Sequence, residues 1–216
     1  MSPDVLRHTL DAIRQRLSSR SFDVRNLVFE PPASPADVDA LERKLNLQLP
    51  PTLRKLLQEY SRHVQFRWFA PEGTDFPEPF RSNFCGDLHW SVSFTEQFDS
   101  AKNEWISKVF SDPSDSYSVV WHNKLAFYEV GNGDYLSIDL SPDGYEQIVY
   151  LSHDDGEGHG HVLAANVLDL LDRWVPVACT GGEDWQWLAF TQNKASPIDP
   201  TGDAAKKWRW ILGIPD

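Results

Sequence analysis

Apolar residues recur at helical spacing from the start of the chain. Leu6, Leu10, Ile13 and Leu17 fall on one stripe, which predicts an amphipathic helix over residues 3–19 with Arg7, Arg14 and Arg16 off the stripe. A second helix is announced by Ser34 as cap, Pro35 at the first helical position and Asp37 beside the positive N-terminus. Its apolar face is Val38, Leu41 and Leu45, and it ends near Asn46. Pro51 then opens a third helix carrying Leu53, Leu56, Leu57 and Tyr60, so the two form a helical hairpin.

The period then shortens to two. Residues 64–69 predict a strand, and 70–81 a loop broken by Pro71, Gly73, Pro77 and Pro79. Leu88, Trp90, Val92 and Phe94 alternate with His89, Ser91 and Ser93, which predicts a half-buried strand. Residues 95–110 predict a helix with Phe98, Trp105, Ile106 and Val109. The centre predicts a β-meander, with strands at 118–121 and 125–130, a hairpin turn at Gly131-Asn132-Gly133 and a strand carrying Leu136, Ile138 and Leu140. A turn at Ser141-Pro142-Asp143-Gly144 leads into a central strand at 147–152, apolar on both faces. A flexible polar loop at 153–161 follows, then a helix over 165–174 and a short helix bearing Trp over 204–212.

Consecutive hairpins without βαβ units predict an α+β fold, a mostly antiparallel sheet flanked by an N-terminal helical hairpin and C-terminal helices. One domain accounts for residues 1–216, with its core at about 29–175, the N-terminal helix at 3–19 and a Trp-rich extension at 176–216. Two cysteines, Cys85 and Cys179, are too few for a disulfide framework. The first ten residues lack a secretory apolar run and no stretch approaches membrane-spanning length, so the expected compartment is the cytoplasm.

Charge narrows the partners. The net charge is −12, which disfavours nucleic acid and anionic membranes and favours a basic protein. Between positions 112 and 160 ten acidic residues face a single basic one, Lys124. Arg7, Arg14, Arg16, Arg20, Lys206, Lys207 and Arg209 lie towards the ends. The negative potential is therefore expected on the sheet and its loops, against the plainer reading of a solvated polar face.

Three segments resemble the SUKH superfamily. They are the helix pair 34–57 with its Leu49-Pro50-Pro51 turn, the hairpin strand 132–140 from Asn132-Gly133-Asp134-Tyr135, and the strand 149–156 that runs into His153-Asp154-Asp155-Gly156 before the closing helix. Family members often carry Asn-Gly or Gly-Gly after the second helix of the pair, where this chain reads Tyr60-Ser61-Arg62-His63. The resemblance implies binding and not chemistry: bacterial members are toxin-immunity proteins and fungal members are regulators of cell-wall assembly. It implies no cofactor and offers no catalytic residues.

The partner-binding surface expected from these readings comprises Asp139, Asp143, Glu146, Asp154, Asp155 and Glu157, with Tyr135 and Tyr145 as contacts and Trp121 nearby. Its partner would be a basic toxin domain, with a nuclease as one candidate. A regulatory scaffold without a toxin is the first rival. The second is a metal-dependent hydrolase using His153, Asp154, His159 and His161, although that loop lacks helical two-His spacing and no metal site is expected there.

Overall fold

Helices begin where their caps dictate. The computed structural model of the chain describes residues 1–81, 83–193 and 196–214. Helix α1 (Pro3–Ser18) starts at Ser2 and buries the expected Leu6, Leu10, Ile13 and Leu17. Helix α2 (Pro35–Leu45) starts with a full capping box, in which Ser34 and Asp37 exchange hydrogen bonds. Its C-cap, Asn46, is left-handed. Helix α3 (Pro51–Lys55) continues as a π-helical turn, Leu56–Tyr60. Helix α4 is Val92–Lys108, α5 is Val167–Trp174, α6 is Asp184–Trp187 and α7 is Asp203–Leu212.

Strands β1 (Asp23–Val24) and β2 (Val28–Phe29) pair with one edge of β3 (His63–Phe69), and β4 (Cys85–Ser91) pairs with the other. A second sheet runs in the order β5 (Lys124–Glu129), β6 (Tyr135–Asp139), β7 (Ile148–Leu151), β8 (Val162–Ala164). All pairings are antiparallel, and the fold is α+β. The meander is the second sheet alone; β3 matches the strand expected at 64–69, β4 overlaps the one expected from 88, and the two pair in a first sheet of their own. One face of the second sheet joins the main core through Leu136, Ile138, Ile148 and Tyr150. The other face packs Ala126, Tyr135, Val149 and Leu151 against Phe98, Phe110 and Trp121. Strand β7 is thus central and buried on both faces, as its composition predicts.

Two strand expectations are corrected. The alternation 88–94 runs across a boundary, because Ser91 caps α4 by accepting from the Phe94 amide, so Val92 and Phe94 are helical. The apolar run Ser118–Trp121 is a 3₁₀ turn, its first amide held by the Asp115 carboxylate. Trp121, expected beside the acids, is fully buried. Cys85 is half-buried, and Cys179 is buried with its thiol pushed up by desolvation. Among the described residues, no helix is long and apolar enough to cross a membrane.

The outer edge of β5 is closed by side chains of α4. Asp99 accepts from the Ala126 amide at 3.1 Å. Lys102, buried, donates to the Lys124 carbonyl and pairs with Asp99 at 2.9 Å. An exposed strand edge invites intermolecular pairing, and this clip removes it. Burial pulls the Lys102 ammonium below its ordinary range, against the opposing pull of Asp99. Lys102→Ala strands the Asp99 carboxylate beside an unpaired carbonyl. It is expected to lower unfolding free energy in urea by about 3 kcal/mol, whereas Lys108→Ala on the exposed side of α4 should cost under about 0.5 kcal/mol.

Candidate functional site

The acidic residues are divided between two ends of β7. At one end lies the β6–β7 turn, where Asp143 and Tyr145 are exposed. Tyr145 borders a shallow cavity with Arg54 and Lys55, so this end is electrically mixed. Two of its acids are spent inside the fold. Asp139 pairs with Lys124 at 3.1 Å and accepts from the Ser141 amide at 2.8 Å. Glu146, at φ +71°, accepts from both the amide and the hydroxyl of Thr52 at 2.7 Å each, and so caps α3, whose own N-cap is a proline. Tyr135 is 2% exposed and donates to Glu129, and burial raises its phenol far above the ordinary range. Asp139, Glu146 and Tyr135 are therefore not available as surface contacts.

At the other end lies the β7–β8 loop, residues 152–161. Its glycines permit close packing, where a flexible loop was expected. A Cβ on Gly158 would sit 2.5 Å from Asp184 Cβ and 2.7 Å from the Trp187 ring. Ser152 Oγ accepts from the Gly156 amide at 3.0 Å and donates to Asp154 at 2.9 Å. His159 turns back over the loop, with Nδ1 accepting from the Ser152 amide at 3.1 Å and Nε2 donating to the Tyr117 carbonyl at 3.0 Å. An amide can only donate, which fixes that tautomer. The imidazole also stacks on Tyr117, with centroids 3.6 Å apart and planes 8° from parallel. The Tyr117 hydroxyl donates to the Ser152 carbonyl and accepts from the Asp155 amide.

Beneath this loop sits Asp134, 1% exposed. Its Oδ1 accepts from the His153 amide at 2.9 Å and from His153 Nδ1 at 2.6 Å. Its Oδ2 accepts from Asn132 at 2.8 Å and from the Tyr150 hydroxyl at 2.5 Å. Tyr150 Oη in turn accepts from the Asp184 amide, and Asp184 Oδ2 accepts from the Gly158 amide. The loop and α6 are thereby locked together. On the outside, Asp154, Asp155 and Glu157 are exposed, with Glu183 half-buried alongside. Their contacts are to hydroxyl and N–H groups, and among the described residues no Lys or Arg pairs with any of them. The stacked Phe84 and Trp185 rings lie at the same end, 49% and 38% exposed.

The donor atoms that could hold a cation are those of Asp134, His153 and Asp154, all within 4.8 Å of one another. The sequence-based set differed. His159 has both nitrogens engaged, and His161 Nε2 bonds the Ser196 carbonyl. Both oxygens of Asp134 are already filled by hydrogen bonds, so the cluster works as a hub.

A cleft of about 680 Å³ lies against the outer face of the first sheet, bounded by α4 and the Gly131–Gly133 turn. Its floor holds Arg67, Asp87 and His89 in a chain, Arg67 Nε to Asp87 at 2.9 Å and His89 Nδ1 to Asp87 at 3.1 Å. Burial would raise the Asp87 carboxyl, but His89 and Arg67 outweigh it and hold the group below its ordinary value. His89 also stacks on Tyr128 at 4.1 Å. On the floor the Arg67, Asp87 and His89 groups are paired with one another.

The family model of the SMI1 / KNR4 family (SUKH-1) matches residues 32–173, well over half of the chain. The chain belongs to this family. The match covers α2 through α5 of the SUKH-1 domain, both sheets included except β1 and β2, and leaves α6 and α7 outside it. No curated protein and no solved structure gives a significant match.

Asp134, Glu183, Asp184 and the Phe84–Trp185 pair are absent from the surface expected from sequence. A usable signal existed for part of it: Glu183 and Gln186 form a capping box, which marks a helix start that would display Trp185 and bury Trp187.

Burial lowers the His159 pKa, so the folded state binds that proton less readily than the unfolded chain. Its stabilising contribution is full above the ordinary value of 6.5 and is lost as pH falls below it. Protonation of Nδ1 also removes the acceptor of the Ser152 amide. Unfolding free energy is expected to fall between pH 7 and pH 5, with a shallower slope in His159→Gln. An equal slope in the two proteins would place the titration elsewhere.

Proposed function

We propose that this SUKH-1 chain is a non-enzymatic binding protein of the immunity type, which neutralises a basic toxin domain by covering it with the β7–β8 loop end. Family membership supports the coarse part, since SUKH proteins serve as immunity or regulatory domains. The observation that carries the finer part is the set of Asp154, Asp155, Glu157 and Glu183, which share one end of the molecule and have no Lys or Arg partner among the described residues. Carboxylates held apart from any Lys or Arg keep their full field for a partner, and the hub below holds their loop in one shape. Against a nuclease, the same charges would occupy the place of substrate phosphates.

The sequence-based surface is narrowed by this proposal. Asp154, Asp155 and Glu157 stay in it, and Glu183 joins them. Asp143 and Tyr145 lie at the opposite end of β7, and Asp139, Glu146 and Tyr135 are engaged internally.

The partner is to be isolated with the full chain from its native cell and matched to the adjacent coding region. Reversing Asp154, Asp155, Glu157 and Glu183 to Lys together is expected to slow association at low salt by roughly ten- to a thousand-fold and to flatten its salt dependence. Asp143→Lys should leave both unchanged. An unaltered association rate in the fourfold variant, with unfolding midpoint retained, removes the acidic-end mechanism; a partner with no toxic activity moves the chain to the regulatory branch of its family.

A further inference from the structure

The residues after position 173 fall outside the family match, yet they build part of the acidic end. Helix α6 is pinned there from three sides. Gln186, buried, donates to Cys85 Sγ at 3.4 Å. The Asp184 carboxylate holds the Gly158 amide at 2.8 Å, and the Asp184 amide reaches Tyr150 Oη at 3.2 Å. Trp187 is buried, packed edge-on against Tyr150 at 5.2 Å. Between the inward Asp184 and Gln186, Trp185 points out.

Its ring is held in place without being covered. Indole Nε1 donates to Glu183 Oε2 at 2.6 Å, and the ring stacks on Phe84 with centroids 5.9 Å apart and planes 26° from parallel. Phe84 directly precedes β4, so two distant segments supply the pair. An exposed stacked pair with fixed rotamers loses little freedom on binding, and Trp is over-represented among residues that dominate interfaces. The neighbouring charge selects what can sit on it. Glu183 lies within electrostatic reach of Asp134, Asp184 and Asp154, and burial together with those carboxylates pushes its own acid group above the ordinary range. A cation over the ring face satisfies both the quadrupole of the indole and carboxylates with no Lys or Arg partner among the described residues.

We infer that the C-terminal extension gives this family member a specificity anchor, the Phe84–Trp185 pair rimmed by Glu183 and Asp154, which receives an arginine or lysine side chain of the partner protein. The inference rests on the acidic-end proposal and adds to it a particular seat for one basic side chain.

The probe is a capped peptide of alternating glycine and arginine, with a control in which neutral citrulline replaces arginine. Both are titrated into the full chain while the indole N–H resonances are followed. The arginine peptide is expected to shift the Trp185 resonance and the citrulline peptide to leave it in place. Trp185→Ala should weaken the arginine peptide about three- to tenfold, and Phe84→Ala by a smaller factor, with unfolding midpoints held. Full affinity in Trp185→Ala, together with loss on reversing Asp154, Asp155 and Glu157, would overturn the anchor and keep the acidic-end proposal. Affinity unchanged by either set, no binding at all, or equal binding of the citrulline peptide would overturn both.

Discussion

A buried carboxylate, Asp134, which has no Lys or Arg partner among the described residues, organises one end of this molecule. Asp134 sits in the hairpin between β5 and β6, where an isolated charge would be strongly penalised by desolvation. Four hydrogen bonds offset that penalty, two from His153 and one each from Asn132 and Tyr150. Each donor comes from an element that must be in position for the charge to be tolerable, so the carboxylate acts as a geometric constraint. Through Tyr150 and Asp184 the same constraint passes out of the family-matched region into the extension. Burial, with Asp134 alongside, pushes the Tyr150 phenol far above its ordinary range, so its hydroxyl keeps the proton that it donates to Asp134.

That dependence explains what could be read from the chain and what could not. Helices α1, α2, α5 and α7 were legible because their determinants are local: a cap, a proline, a stripe of apolar residues. Strand β7 was legible because burial on both faces leaves no polar alternation. The stretch 88–94 misled because a strand and a helix that follows it can share a two-residue alternation across a capping serine. Strands β3 and β4 were read at least in part, but the pairing of the first sheet was not, because its partners, Val24 with Trp68 and Val64 with Trp90, are separated by long gaps in sequence.

The site shows the same division more sharply. Sequence counts acids but cannot tell which are spent. Glu146 is consumed by Thr52 in the first turn of α3, 94 residues earlier, and Asp139 by Lys124 across a strand pair. Neither contact leaves a local trace, so both residues looked like free surface charge. Asp154, Asp155 and Glu157 have no Lys or Arg partner among the described residues, for a reason that is also structural. They occupy the outward side of a loop whose inward side is saturated by Ser152, His159, Gly158 and their partners.

An interface needs groups that are both exposed and immobile, and ordinary surface charge is only the first of these. Long side chains that wander over the surface lose entropy on binding and are screened by salt. Short aspartates on a loop fastened at Tyr117, Asp134 and Asp184 lose much less. The same economy applies to Trp185, whose indole is already tethered to Glu183 and stacked on Phe84. The extension therefore does more than bond the Leu163 carbonyl of β8 through the Ile198 amide. It carries Trp185, an exposed tryptophan beside carboxylates that have no Lys or Arg partner among the described residues, on a platform whose position is set by the buried charge beneath it. Trp210, more exposed still, lies instead beside Arg16 and Gln15 on α1, where the surroundings favour no cation.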